Sequence, residues 1–210
     1  MDNIFDGYDY EKEYDCSKNK KCNHFSKIMF LIIHVNSIPN GHAILRNYVS
    51  TNKNEVNNKN SEGWTALHIA AINSNKYSLE TVKLLLDNGA DINLTTVIGS
   101  TALMLATAYS NKGSSLETVR LLLENGTNVN LATKDGLTAL MLAAVYANTD
   151  SSLETVRLLL EKGADVNLVD KEGWTALMMA ARYSNTDSSL ETVKLLLEKG
   201  AYVNLVDEEG

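Results

Sequence analysis

The feature that most constrains the fold of this chain is an internal repeat with a period of 36 to 37 residues. The tripeptide Thr-Ala-Leu begins at four positions separated by 36, 37 and 37 residues: Thr65, Thr101, Thr138 and Thr175. Four glycines recur at intervals of 37 residues: Gly89, Gly126, Gly163 and Gly200. Between these markers lies Leu-Glu-Thr-Val, which begins at Leu79, Leu116, Leu153 and Leu190. Four copies in register predict a repeat protein in which each copy packs against its neighbours.

Each copy is predicted to form two helices. The Thr of Thr-Ala-Leu precedes an apolar stretch, so its hydroxyl is expected to cap a short first helix that is rich in alanine. In the second helix, Leu153, Val156, Leu159 and Leu160 follow the spacing of one buried face, and Gly163 ends the helix. We expect Ser78, Ser114, Ser151 and Ser188 to open the second helices, and Glu117, Glu154 and Glu191 to complete capping boxes.

These residues resemble the ankyrin repeat. The stretches that carry the resemblance are Gly-Trp-Thr-Ala-Leu-His-Ile-Ala-Ala at 63–71 and Leu-Leu-Leu-Asp-Asn-Gly-Ala-Asp-Ile-Asn at 84–93. The resemblance covers residues 60–210 and implies an all-α fold. That fold is an ankyrin-repeat solenoid of stacked helix pairs with β-turn tips, here with four repeats plus a degenerate N-terminal helical cap.

The chain departs from the family pattern in two ways. Where the family has Thr-Pro-Leu-His, this chain has Thr-Ala-Leu-His once and Thr-Ala-Leu-Met three times, with Met104, Met141 and Met178. Alanine is tolerated at a helix start and methionine is an adaptable apolar filler, so we expect the fold to persist. The period also exceeds the usual ~33 residues. The excess, as at 147–152, predicts a lengthened loop between the helices and resembles ankyrin proteins of large amoeba-infecting DNA viruses.

The period also predicts where the parts of the chain begin and end. Residues 1–23 are expected to form a flexible acidic and polar tail, and 24–59 a capping helical pair. The four repeats are expected at 60–96, 97–133, 134–170 and 171–207, and 208–210 would start an incomplete repeat. We expect a monomer. Self-association through the uncapped C-terminal repeat is the alternative, because its leucine face would be partly exposed.

Composition and motifs argue against several classes of function. The net charge of −7 argues against a nucleic-acid partner, whose phosphates need a basic face. No phosphate loop, nucleophile elbow or zinc-protease motif occurs, so we expect no catalytic residue and no cofactor. The group Cys16, Cys22 and His24 matches no familiar zinc spacing, and we expect no metal site.

The same features bear on location. Two cysteines favour a reducing intracellular compartment over a disulfide framework, with the cytoplasm favoured over the nucleus. The first 13 residues are acidic and polar, unlike a signal peptide. The apolar run 28–33 is too short for a transmembrane segment, so no contact with a membrane is expected.

The family resemblance implies an unidentified protein partner bound across the concave face, which the turn tips and first helices form. The candidate contact residues on that face are Trp64, Ile98, Ser100, Tyr109, Lys134, Leu137, Tyr146, Lys171, Trp174, Arg182 and Tyr183. The three tyrosines share one repeat position and form either a contact surface or packing between repeats. Trp64 and Trp174 are favoured as contacts because their turn positions are expected to be exposed.

Five asparagines recur in the links between repeats: Asn57, Asn93, Asn130, Asn167 and Asn204. A buried amide that binds turn backbone between repeats explains them. The resemblance also implies an alternative role as substrate of an iron-dependent asparagine hydroxylase.

The sequence therefore favours a non-enzymatic scaffold for protein–protein interaction. Three alternatives stay open: a substrate adaptor of a ubiquitin ligase, a truncated repeat array without an independent role, and an enzyme with an unrecognised site. No convincing F-box lies in residues 1–50 to support the adaptor.

Overall fold

A computed structural model describes residues 26–73, 78–109, 116–146, 150–182 and 187–205. Within these ranges lie ten helices. They are α1 (Lys27–His34), α2 (Gly41–Thr51), α3 (Ala66–Ile72), α4 (Ser78–Asp87), α5 (Ala102–Tyr109), α6 (Leu116–Glu124), α7 (Ala139–Val145), α8 (Asp150–Glu161), α9 (Ala176–Arg182) and α10 (Asp187–Glu198). A 3-10 turn at Lys53–Glu55 follows α2.

The helices stack in two layers. The first helices α1, α3, α5, α7 and α9 each contact the next member of their layer, and so do the second helices α2, α4, α6, α8 and α10. Within each pair the two helices also contact one another. This arrangement confirms the predicted all-α solenoid of helix pairs.

The core lies between the two layers. Small buried residues such as Ala70, Ala106 and Ala143 line the first helices and let neighbouring helices approach closely. On α8 the predicted face is present, since Val156 and Leu159 are fully buried while Leu153 and Leu160 are half-buried. The threonine of Leu-Glu-Thr-Val is also buried in every copy, at Thr81, Thr118, Thr155 and Thr192.

The N-terminal helices α1 and α2 form the first pair of the stack and contact α3 and α4, respectively. Ser26 caps α1 by accepting a hydrogen bond from the Met29 amide at 3.3 Å. The chain then turns sharply at Asn40, which has the left-handed φ of 55°. Gly41 is required at the start of α2, because a Cβ there would lie 2.2 Å from the Val35 carbonyl oxygen. The predicted helical cap is therefore present, and the predicted tail at 1–23 lies outside the described residues.

The second helices begin earlier than predicted. Helix α8 starts at Asp150 and α10 at Asp187, so Ser151 and Ser188 lie inside the first turn rather than before it. Ser78 is likewise the first residue of α4, and Ser114 lies outside the described residues. The expected serine caps are therefore wrong at these positions. The reason is that part of the lengthened segment between the helices continues the helix instead of forming loop.

Candidate protein-binding surface

The first helices begin with a reciprocal cap that differs between repeats. Ahead of α3, the His68 amide donates to Thr65 Oγ1 at 3.4 Å, and the Thr65 amide donates to His68 Nδ1 at 3.1 Å. The other ring nitrogen of His68, Nε2, lies 3.1 Å from the carbonyl oxygen of Ser100 in the next repeat. Because Nδ1 accepts, Nε2 carries the proton and donates to Ser100. His68 is therefore a buried structural histidine with both ring nitrogens hydrogen-bonded.

Burial lowers the pKa of His68 from 6.5 to about 4, although the Ser100 carbonyl opposes part of the change. The imidazole is consequently neutral at physiological pH. Only the neutral form leaves Nδ1 able to accept the Thr65 amide.

In the next two repeats a methionine stands in place of the histidine and makes only one of its two hydrogen bonds. The Thr101 amide lies 3.5 Å from Met104 Sδ, and the Thr138 amide lies 3.4 Å from Met141 Sδ. The thioether therefore accepts where His68 Nδ1 does. A methionine side chain has no donor, so it cannot make the second bond to the tip of the next repeat.

Each turn tip is a small hairpin closed by its own backbone. In the second repeat the Thr96 amide donates to the Ser100 carbonyl at 3.0 Å, and the Ser100 amide donates to Thr96 Oγ1 at 3.1 Å. A single antiparallel bridge between Thr95 and Thr101 continues the hairpin. The predicted β-turn tips are therefore present.

Successive tips are joined in a row by one backbone hydrogen bond each. The Val97 amide donates to the Glu62 carbonyl, the Lys134 amide to the Ile98 carbonyl, and the Lys171 amide to the Asp135 carbonyl, at 2.9, 2.9 and 3.0 Å. Gly136 allows this close approach, because a Cβ there would lie 2.6 Å from the Asp170 Cα. Its φ of 87° also favours glycine. The tips thus form a continuous ridge along the solenoid.

The structure places the predicted contact residues in three environments. Ile98, Lys134, Lys171 and Arg182 are exposed, and Trp64, Tyr109, Leu137, Tyr146 and Trp174 are half-buried. Ser100 is only 6% exposed, and Tyr183 lies outside the described residues.

Two expectations about exposure are wrong. Ser100 is buried because its backbone closes the hairpin and its carbonyl accepts from His68, so its side chain is not a surface feature. Trp64 and Trp174 are half-buried rather than exposed. The Trp64 ring packs edge-on against His68 with 5.9 Å between ring centroids, and the Arg182 guanidinium lies 5.1 Å from the Trp174 ring centroid. The second contact is a cation–π interaction.

The tips carry one exposed apolar residue that is not among the candidate contact residues. Val97, next to Ile98, is 44% exposed, and Ile98 is 48% exposed. The available signal is that other tips have polar or charged residues at these two positions, as with Lys134 and Asp135. Further along, Lys171 Nζ lies 3.7 Å from Asp135 Oδ1 between two exposed side chains.

The recurring asparagines bind the backbone of the following repeat. Asn130 Nδ2 donates to the Gly163 carbonyl at 3.1 Å, and its Oδ1 accepts from the Asp165 amide at 2.8 Å. Asn57, two repeats earlier, and Asn167, one repeat later, make the same pair of bonds. The predicted link is confirmed, but the expectation that these amides are buried is wrong, since Asn57 and Asn130 are exposed. They bridge neighbouring loops at the surface.

The repeated glutamates form ion pairs along the second helices. Arg120 lies between Glu117 and Glu154, with nitrogen–oxygen distances of 3.9 and 3.8 Å, and Lys194 contacts Glu191 at 2.6 Å. On the N-terminal side, His42 Nε2 lies 3.3 Å from Glu80 Oε2. Glu117, Glu154 and Glu191 thus each have a basic side chain as a partner.

Across the described ranges, no three His, Cys, Asp or Glu side chains lie close enough together to hold a metal ion. Cys16, Cys22 and His24 fall outside those ranges. In the same part of the chain, every helix is too short or too polar to cross a bilayer.

Comparison with known proteins agrees with the repeat architecture. The family described as ankyrin repeats (3 copies) matches residues 31–133 and again 108–207. Ankyrin repeat protein L86 of Acanthamoeba polyphaga mimivirus is 47% identical over 107 residues, which are 48% of this chain and 18% of that protein. Ankyrin repeat protein L289 of the same virus is 42% identical over 108 residues, which are 50% of this chain and 20% of that protein.

These matches span about a fifth of the length of the viral relatives. The resemblance to proteins of an amoeba-infecting virus is confirmed by them. Since the family matches cover most of the chain, from residue 31 to residue 207, the chain belongs to the ankyrin repeat family.

Proposed function

We propose that this chain is a non-enzymatic scaffold that binds a protein partner on its concave face, through the turn tips and the first helices. Ankyrin repeats generally mediate protein–protein interaction, and proteins of the family are typically scaffolds rather than enzymes. The observation that carries the proposal is the ridge of linked tips, which presents exposed side chains from a fixed backbone.

A fixed ridge favours binding because little conformational entropy is lost when a partner docks. The backbone bonds that join the tips do not involve the side chains of Val97, Ile98, Lys134 or Lys171. Those side chains can therefore differ between proteins without changing the scaffold. Such independence is what a surface needs if its specificity is set by side chains alone.

The proposed contact surface consists of Trp64, Ile98, Tyr109, Lys134, Leu137, Tyr146, Lys171, Trp174 and Arg182, with Tyr183 kept as a prediction. Ser100 no longer belongs to it, because its side chain is buried. Half-buried aromatic residues with a polar edge, such as Trp174 beneath Arg182, are frequent anchors in protein interfaces.

We also propose that the binding unit comprises the helical pair at 24–59 and the repeats at 60–96, 97–133, 134–170 and 171–207. Equivalent tip bonds recur from Glu62 to Lys171 and support this division. The unit is proposed to act as a monomer.

Affinity purification with mass spectrometry from amoeba lysate tests the proposal with three baits. The first is the unchanged chain, and the second carries Ile98→Asp, Lys134→Glu and Lys171→Glu on the tips. The third, a matched control, carries Ile44→Asp, Lys83→Glu and Arg157→Glu on the second helices, where all three residues are exposed. Both variants change the net charge by the same amount.

Circular dichroism should first show equal helicity for the three baits. A protein that the first and third baits capture and the second loses would support binding through the tips. A protein captured equally by all three would contradict it.

A further inference from the structure

The tip of the second repeat differs chemically from the other tips. Its two outermost residues are Val97 and Ile98, with 44% and 48% of their surfaces exposed. The same two positions hold Ser61 and Glu62, Lys134 and Asp135, and Lys171 and Glu172 in the other tips. Two exposed aliphatic side chains therefore replace a polar pair.

The fold does not need these aliphatic side chains. The hairpin is closed by Thr96 and Ser100, and the bonds to neighbouring tips use backbone atoms. The polar pairs in the other tips support the same geometry. Exposed aliphatic surface gains free energy when it is removed from water, so this tip offers a gain on binding that the other tips lack.

The tip of the second repeat is also bound by a side chain of the preceding repeat. His68 Nε2 donates to the Ser100 carbonyl in this hairpin, whereas the repeats with Met104 and Met141 cannot make that bond to the following tip. The apolar tip is therefore the one that receives a histidine anchor. An anchored tip loses little freedom on binding.

Acidic residues surround Ile98 along the ridge. Glu62 holds the same position one tip earlier, Asp135 one tip later, and Glu172 one tip further. Within the described ranges, Glu62 and Glu172 form no ion pair, and Asp135 has only the 3.7 Å contact with exposed Lys171. An ion pair between two exposed side chains contributes little to stability, so the carboxylates are available to a partner.

Cationic side chains also lie along the ridge. Lys134 and Lys171 follow Val97 in the next two tips, and Lys59 Nζ is bound to the Thr95 carbonyl at 2.8 Å. The carboxylates that flank Ile98 belong to Glu62 in the preceding tip and Asp135 in the following tip, and these are the groups with which positive charges of a partner would pair. The net charge of −7 also attracts a basic partner at long range.

From this juxtaposition we infer that the second tip binds a linear, basic segment of a partner protein, in which an aliphatic side chain is flanked by Lys or Arg on both sides. The aliphatic side chain contacts Val97 and Ile98, and the flanking cations pair with Glu62 and Asp135. The inference rests on the proposed function and names the chemistry of its partner.

A phage-displayed library of random dodecapeptides, selected on the immobilised full chain, tests the inference. The expected result is enrichment of sequences with Leu, Ile or Val between basic residues. Synthetic copies of the enriched peptides should bind the Val97→Ser, Ile98→Ser variant at least tenfold more weakly. They should bind the Ile44→Ser variant unchanged, because Ile44 is equally exposed, at 43%, but lies on α2.

A Glu62→Gln, Asp135→Asn variant should lose several-fold in affinity and much of its salt dependence. Equal binding to the tip variant and the unchanged chain would overturn the inference. Enrichment of aliphatic residues between acidic ones, or of no sequence at all, would overturn it as well. The affinity purification could still show a partner bound through the tips after any of those results. Failure of the inference and failure of the proposed function are therefore distinguishable.

Discussion

His68 Nε2 lies 3.1 Å from the carbonyl oxygen of Ser100, and this hydrogen bond joins the first helix of one repeat to the turn tip of the next. The histidine makes this bond only in the first repeat of the Thr-Ala-Leu series, because Met104, Met141 and Met178 replace it later. The contact between these two repeats therefore depends on a titratable group.

Acidification should therefore weaken the fold through His68. The unfolded histidine takes up a proton near pH 6.5, and the folded one only near pH 4. Between these values the unfolded state binds more protons, so the free energy of unfolding falls as the pH falls, by up to ~3 kcal/mol. Urea unfolding at pH 7 and pH 4.5 measures the effect. The His68→Met variant should lose less stability, and an identical loss in both proteins would contradict the prediction.

The exposed asparagine bridges should contribute measurably to stability. Asn130→Ala removes two hydrogen bonds between loops, to the Gly163 carbonyl and the Asp165 amide, and should lower the free energy of unfolding by ~1–2 kcal/mol. Asn125→Ala is the matched control, because Asn125 is also exposed but its side chain donates to the carbonyl of Leu121 in the same repeat. Urea titration compares the two variants. If the control is destabilised as much as Asn130→Ala, the bridges do not hold the repeats together.

The contact between tips should be sensitive to a single methyl group. Gly136→Ala combines a strained φ of 87° with a Cβ placed 2.6 Å from the next tip. Gly163→Ala has nearly the same φ, 86°, and nothing within 4 Å of its Cβ. Both should be destabilised by ~1 kcal/mol from backbone strain, and Gly136→Ala by more because tips must separate. Thermal unfolding measures both, and equal losses would show that the tips are not tightly packed.

The buried face of α8 gives a test of the core. Leu159 is fully buried, whereas the adjacent Leu160 is half-buried. Leu159→Ala should cost ~2–5 kcal/mol because it leaves a cavity, and Leu160→Ala should cost clearly less. Guanidinium unfolding of the two variants provides the comparison. If Leu160→Ala lowers the stability more than Leu159→Ala, the buried face of α8 is centred on Leu160 instead.

Much of the fold could be predicted because the repeat carries local signals. The Thr65 and Thr138 caps, the alanine-rich first helices and the glycine ends all depend on a few neighbouring residues. The asparagine bridges could also be predicted, since an amide that recurs with the period must face the same backbone each time.

The candidate site was less predictable because it depends on contacts between repeats. The bond from His68 to Ser100 joins residues 32 positions apart, and nothing near Ser100 in the sequence shows that it is buried. Trp64 and Trp174 follow turns, yet His68 and Arg182 cover part of each ring. The start of α8 at Asp150 shows the same limit, since sequence alone did not distinguish inserted loop from inserted helix.

The identical hydrogen bonds of three of the recurring asparagines have a consequence for inheritance. Asn57, Asn130 and Asn167 offer the same two atoms to the same two backbone groups of the following repeat. A recombination event that inserts or deletes one period of coding sequence therefore regenerates a complete joint at its breakpoint. Arrays of different length can arise in single genetic steps. An inserted repeat brings its own tip residues to a new position along the ridge.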